Sequence, residues 1–392
     1  MSAVAGRRVV HVTTTDMSLA LLLGPQLRAF AAAGMEVVGV SAPGEWVGEL
    51  TAAGIAHQPL RHATRAMAPG QDLLALIELV RLFRRLRPDI VHTHNPKPGL
   101  YGRAAARLSR VPVVVNTVHG LYATEDDRRA RRLVVHGLER VASSWSQAEL
   151  VQNEEDLAVL RRLGVPARKL VLLGNGIDLH RFVPPSGDDE IARSRALLGV
   201  HHDQVVVGMV GRLVWQKGLA ELFGAARHLR RTRPRVVIAV VGPSDPSKAD
   251  GLRPADIAAA QSIGNVVFLG SRRDVELLYR GFDVFVLPSY REGFPRSAME
   301  AAACGLPVVA SDIRGCRQVV DPGTTGLLVA AREATALAEA IEELVDDEDR
   351  RRAMGRAGRA KAEAQFDDRQ VVTTTLAVYE RLLARRPGGG AR

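Results

Sequence analysis

Cysteine, lysine and long apolar runs are scarce in this chain, and each scarcity removes a class of protein. Two cysteines occur in 392 residues, Cys304 and Cys316. Both stand beside apolar segments, so neither a disulfide framework nor a thiolate zinc cluster can be built, and both are expected as reduced core residues. No stretch approaches the ~18–20 consecutive apolar residues of a membrane span. The opening residues have no signal-peptide core or cleavage site, so a cytoplasmic protein is expected. Only five of the 53 basic residues are lysine, so a net charge of +10 is carried almost wholly by arginine. No basic–aromatic alternation, helix-turn-helix signature or RNA-binding motif accompanies that charge, and nucleic acid is not an expected partner. Phosphorylated ligands and an anionic membrane surface remain.

What the chain does have is alternation. A length of 392 residues suggests two domains. Apolar, β-rich runs occur at 9–13, 37–41, 90–93, 113–117 and 150–152, with helix-period segments at 19–33, 73–86, 100–108 and 128–141 between them. The pattern restarts after residue 200. Strand-like runs at 205–210, 236–241, 266–269, 284–287 and 308–310 alternate with helical segments at 219–229, 275–279 and 297–303. Continuous apolar strands separated by helices indicate parallel sheets covered on both faces. The fold class is therefore α/β, with two doubly wound domains in tandem. Breakers at Gly174-Asn175-Gly176 and Pro184-Pro185-Ser186-Gly187 place a hinge across 174–188. The expected domains are 1–178 and 179–366, with a last helix over 367–386 returning to the first domain and a frayed Pro387–Gly390 tail. Ligands of doubly wound sheets bind outside the carboxyl ends of the strands, and two such sheets facing each other would form a cleft.

Two motifs follow strands in the second half. Gly211-Arg212-Leu213-Val214-Trp215-Gln216-Lys217-Gly218 offers glycine backbone, a planar guanidinium fork and a mobile ammonium, with a helix N-terminus near Gly218. Together these suit a diphosphate; the plainer alternative is a strand end with two solvated cations. Pro288-Ser289-Tyr290-Arg291-Glu292-Gly293-Phe294-Pro295-Arg296-Ser297-Ala298-Met299-Glu300 follows the run 284–287. Pro295 suits the first turn of a helix. A carboxylate can accept two hydroxyl protons, as a ribose or sugar diol requires. Glu292 would sit at the helix mouth and Glu300 inside it, where its apolar neighbours demand a partner for the charge. The alternative is that Glu292 complements the helix dipole and Glu300 is a surface acid.

The Glu292-to-Glu300 run resembles the signature of retaining GT-B glycosyltransferases of the family-4 type. Gly-Arg-Leu…Gln-Lys-Gly is similar to that family's phosphate loop, Asn175-Gly176-Ile177-Asp178 to its interdomain motif, and Gly323-Thr324-Thr325-Gly326 to a late turn. The resemblance implies that Arg212 and Lys217 contact a nucleotide-sugar diphosphate and Glu300 the ribose. Glu292 would contact the transferred sugar's hydroxyls with His119 beside it, these two being the catalytic residues, and Gly293 and Phe294 would help bind the donor. His92-Thr93-His94-Asn95-Pro96-Lys97 and the opening His11-to-Leu19 segment look like bacterial enzymes that extend lipid-linked or cell-surface polysaccharides. Thr15, Asn95 and Lys97 would then face a glycan or lipid-linked acceptor, and UDP is the default donor nucleotide.

Departures are Thr14-Thr15-Asp16-Met17 in place of paired glycines, and Gln318 where many relatives have glutamate. No metal or cofactor is expected: Asp126-Asp127 and Asp346-Asp347 read as solvated faces, and His92 and His94 lack a third ligand. The four arginines closing the 73–87 segment, with Arg128, Arg129, Arg131 and Arg132, suggest peripheral contact with an anionic membrane. The rival readings are a soluble natural product or metabolite as acceptor, a nucleotide-sugar epimerase of the same architecture, and a catalytically silent binding protein.

Overall fold

The valine-rich runs pair into two all-parallel sheets. The structure, a computed structural model, describes residues 3–64, 68–123, 127–244 and 250–385. In chain order the elements are β1 (Arg8–Thr15), α1 (Gly24–Ala32), β2 (Glu36–Ala42), α2 (Val47–Ala52), β3 (Ala56–Pro59), α3 (Pro69–Leu86), β4 (Ile90–His94), α4 (Pro96–Leu108), β5 (Val113–Val118), α5 (Arg129–Ser143), β6 (Ala148–Val151), α6 (Glu154–Arg162) and β7 (Leu170–Leu172). There follow α7 (Asp188–Leu198), β8 (Val205–Val210), α8 (Leu219–Thr232), β9 (Val236–Val241), α9 (Pro254–Gln261), β10 (Val266–Phe268), α10 (Val275–Tyr279), β11 (Val284–Leu287), α11 (Arg296–Ala303), β12 (Val308–Ser311), β13 (Gly326–Val329), α12 (Ala334–Asp346), α13 (Glu348–Gln365) and α14 (Asp368–Ala384).

The chain forms two compact units, Met1–Gly174 with Asp368–Arg392, and Asn175–Asp367. The N-terminal unit carries the sheet β3-β2-β1-β4-β5-β6-β7, and the second carries β10-β9-β8-β11-β12-β13. Each order reverses beside its first strand, at β1/β4 and at β8/β11. Those are the switch points at which doubly wound sheets open a crevice for ligand. Alternate residues of each strand serve opposite faces. Val9, Ile90 and Val115 pack with Phe30 of α1 and Tyr379 of α14, while Val10, Val91 and Val114 pack with Leu79 and Phe83 of α3. The stretch around Ile177 is tied into the second unit, where Ile177 N–H donates to Phe366 O at 2.9 Å.

Local differences from the sequence reading have local causes. The helix expected over 19–33 starts instead as a wide turn, Ser18–Leu22, and α1 begins at Gly24 with proline in its first turn, where the missing N–H is harmless. Pro295 sits one position earlier than expected, as the N-cap of α11. The edge strands β3, β7 and β13 differ from the expected runs: β3 is half-exposed and has no apolar run, while β7 and β13 are apolar but only three and four residues long. The last helix ends at Ala384, while Arg386, the 387–390 tail and Asp126 lie outside the described residues. No described helix is long and apolar enough to cross a membrane.

Candidate active site

In the second unit, the loops that leave β8 and β11 meet at the switch point. A one-turn helix, Trp215–Lys217, closes at Gly218, whose φ is +73°. A Cβ there would lie 1.9 Å from the Pro288 carbonyl oxygen, so both the left-handed backbone and the close approach demand glycine. Tyr290 N–H donates to Gln216 O at 3.0 Å, joining the two loops again. This bracing brings Lys217 Nζ to 2.5 Å from Glu292 Oε1, with both side chains mostly buried. Lys217 has three N–H donors and Glu292 uses one, leaving the ammonium able to meet phosphate oxygens beside the same carboxylate. Arg212 lies half-buried on the β8 loop, and α8 starts directly after Gly218.

The Glu292 loop is held from two further sides. Asn175 Nδ2 donates to Phe294 O at 3.0 Å, and the Phe294 ring packs edge-on to Phe366 at 5.8 Å. The Phe294 side chain thus anchors the loop. Gly315, after β12, lies beneath it: a Cβ would stand 2.6 Å from Glu292 O and 2.8 Å from Gly293 O. Gly315→Ala therefore has to displace the segment that positions Glu292. Displacements of about 1 Å can cost on the order of 100-fold in rate. The expected result is a fall in kcat of that order with a lowered unfolding midpoint, checked by steady-state kinetics and thermal denaturation; parental kcat would refute it.

Glu300 lies inside α11, and burial pushes its carboxyl above the usual range. Its partner is Tyr279, whose hydroxyl lies 3.0 Å from both Glu300 Oε2 and Ser297 O. Arg296 is more distant, 3.9 Å from Oε1. Tyr279 was missed because, on α10, it reads as one more apolar helix residue. Gln318 turns back to Arg314 O at 3.4 Å. The acidic pairs are engaged in surface contacts: Asp127 with Arg131 at 2.6 Å, Asp346 with Arg233 at 2.5 Å, and Asp347 capping α13 at Arg350 N.

In the N-terminal unit, Asn95 is the N-cap of α4 at φ +70°, and its Oδ1 accepts from Thr14 N at 3.3 Å, joining the ends of β1 and β4. Thr15 Oγ1 is 3.1 Å from Ser18 Oγ. Lys97 does not project alone: its Nζ is 2.6 Å from Asp72 Oδ1 and 2.8 Å from Thr64 Oγ1. Asp16, not singled out from sequence, accepts from Trp46 N at 2.8 Å and so fixes the loop after β1.

The expectation that His92 and His94 lack a third neighbour is wrong. Parallel pairing of β1 with β4 sets His11 opposite His92, and ligating atoms of His11, His92 and His94 lie within 4.8 Å of one another. No spacing within one segment could reveal this. The nitrogens of two of these rings are already engaged. His92 meets Tyr379 OH at 2.5 Å and Thr117 Oγ1 at 2.7 Å, while His94 meets His11 Nδ1 at 3.0 Å and His119 Nε2 at 3.1 Å. Burial lowers the pKa of His119 to about 4 and of His11 to about 3, so both are neutral near pH 7.

Residues 190–361 match the family described as Glycosyl transferases group 1, and residues 26–181 match Glycosyltransferase Family 4. A UDP-Gal:alpha-D-GlcNAc-diphosphoundecaprenol alpha-1,3-galactosyltransferase of Escherichia coli is 32% identical over 280 residues, 71% of each chain. The chain belongs to this glycosyltransferase family. A D-inositol 3-phosphate glycosyltransferase of Geodermatophilus obscurus is 33% identical over 307 residues, 74% of this chain and 66% of its own. Among solved structures, the sucrose-phosphate synthase of Thermosynechococcus elongatus superposes with a TM-score of 0.80 at 25% identity, covering 97% of this chain and 100% of that one. The glycosyltransferase thus has the expected GT-B architecture of two parallel, Rossmann-like sheets. Its two family matches fall on the two sheets, and the Lys217–Glu292 pair lies within the group 1 segment.

Proposed function

We propose that this glycosyltransferase is a retaining enzyme that moves a hexose or N-acetylhexosamine from a UDP-linked donor to a polyprenyl-diphosphate-linked or other cell-surface glycan acceptor, using neither metal nor cofactor. The Lys217–Glu292 pair at the β8/β11 switch point carries the reading. It sets a cation for a departing diphosphate beside a carboxylate that can accept two sugar hydroxyls. Arg212 shares the diphosphate, Glu300 takes the ribose, and the Gly293 backbone faces the sugar. His119 acts as a neutral hydrogen-bonding group. Thr15, Asn95 and Lys97 serve the acceptor side, where an incoming phosphate would compete with Asp72 for Lys97.

A lipid-linked acceptor is favoured by the name of the E. coli relative and by the surface of the N-terminal unit. Helix α5 leaves Leu133, Val134, Leu138 and Val141 exposed, at 73%, 62%, 44% and 51%, among Arg129, Arg131 and Arg140. Leu73, Leu74 and Ile77 of α3 are exposed as well. An apolar face rimmed by arginine suits an anionic bilayer, where each basic residue near the surface contributes about 1 kcal/mol. The D-inositol 3-phosphate relative favours a second reading, a small soluble acceptor.

Transfer from labelled UDP-sugars to an undecaprenyl-diphosphate-linked sugar, in anionic or neutral vesicles, tests the proposal. The expected result is transfer on anionic vesicles that weakens with salt, persists in chelator, and yields a product with the donor's anomeric configuration. Equal transfer to inositol phosphate without vesicles would establish the second reading. Isomerisation of donor alone would mark an epimerase.

A further inference from the structure

A file of three imidazoles runs through the N-terminal unit from His119, at the end of β5, through His94 to His11 in the middle of β1. The contacts are His119 Nε2 to His94 Nδ1 at 3.1 Å and His94 Nε2 to His11 Nδ1 at 3.0 Å. His11 and His94 are 0% and 1% exposed. The far nitrogen of the file, His11 Nε2, is buried and has no hydrogen-bond partner. The His11 ring is stacked on Phe30 of α1 at 5.6 Å, and His92 and Tyr379 of α14 complete the surroundings, with no carboxylate among these neighbours.

Three neutral rings carry three protons. Each of the two N···N contacts takes one, and the third must sit at one end of the file, on His119 Nδ1 or on His11 Nε2. A buried N–H with no acceptor is a costlier orphan than a bare lone pair. The third proton therefore belongs on His119 Nδ1, and every ring in the file is then the Nδ1–H form. His11 donates to His94, and His94 donates to His119. Reversing the file needs a proton delivered to His11 Nε2, which burial prevents. The Gln152 side chain also hydrogen-bonds His119.

We infer that His94 and His11 are positioning residues whose closed hydrogen-bonded file locks His119 in the Nδ1–H tautomer. On the reading that His119 contacts the transferred sugar, the lock makes Nδ1–H its one donor, which a sugar oxygen would take in place of the Gln152 side chain, rather than leaving a group that donates and accepts interchangeably. His92 stands outside the file, because Tyr379 and Thr117 occupy its nitrogens.

Ring 15N spectra of histidine-labelled enzyme between pH 6 and 9 read the tautomer directly. Parent His119 is expected as Nδ1–H throughout. His11→Phe, which keeps the ring's stacking and removes its donor, should give His119 a mixed or Nε2–H pattern. It should also lower kcat on the order of tenfold, the effect of about one hydrogen bond, with donor KM within about twofold. His11→Asn, whose amide nitrogen can replace Nδ1 as donor to His94, should restore the parental pattern and keeps the test available if the Phe variant does not fold. An Nε2–H His119 in the parent, or an unchanged tautomer in His11→Phe, would overturn the inference. The expected spectra with unchanged kcat would uphold the lock and refute the sugar contact instead.

Discussion

Replacing Lys217 by alanine is expected to lower turnover on the order of 100-fold or more while changing the donor's KM far less. Removing one preorganised group that stabilises charge developing in the transition state has that size of effect. Arg212→Ala should fall in the same class, because both cations serve a leaving group whose negative charge grows as the glycosidic bond breaks. The geometry adds a specific expectation for the pair. Lys217 and Glu292 are 2.5 Å apart, so their roles are coupled, and the loss in Lys217→Ala/Glu292→Gln should be smaller than the sum of the two single losses expressed as free energies. Single-turnover kinetics of the four proteins would measure this coupling. Turnover of Lys217→Ala or Arg212→Ala within several-fold of the parent would remove the diphosphate assignment.

The second large effect is on stability and lies away from the chemistry. Arg103 of α4 is 1% exposed and pairs with Glu149 of β6 and Glu139 of α5, at 2.8 Å in each case. Glu149 also accepts from Asn116 Nδ2 at 2.8 Å and from Ser146 Oγ, and Arg103 donates to Gly99 O. Burial raises the Glu149 pKa and Arg103 opposes that shift. Arg103→Met would leave a fully buried carboxylate without its cation, a change that costs about 3–5 kcal/mol. In a Trp215→Phe background the remaining tryptophans, Trp46 and Trp145, report on the N-terminal unit alone. Its denaturation midpoint should drop sharply in Arg103→Met and recover in part when Glu149→Gln is added. An unshifted midpoint would show that the network contributes little.

Much of the architecture was legible because buried parallel strands announce themselves. Runs such as Val236–Val241 are apolar at every position, and the intervening helices have their own period. The edge strands were not legible: β3 is half-exposed and carries no such run, and the apolar run of β7 is only three residues of strand. The switch points were legible only in consequence: strand–helix alternation implies them, but the sheet order locates them. Among the site residues, Arg212, Lys217, Glu292 and Glu300 stood out because short loops after strands can hold only a few chemically capable side chains. Tyr279, Asp16 and Gly315 did not, because each acts through a contact with a distant loop or helix.

By itself, then, the sequence determined the periodicity, the class of fold, and the loops in which phosphate- and hydroxyl-binding residues stand, all properties carried by neighbours along the chain. Only the tertiary structure decided that Lys217 meets Glu292 75 positions away, that Lys97 is paired with Asp72, and that His11 joins His94 across 83 positions. The physical reason is register. Parallel pairing of β1 with β4, and the close approach permitted at Gly218, set which side chains share a site, and neither is written in any one segment.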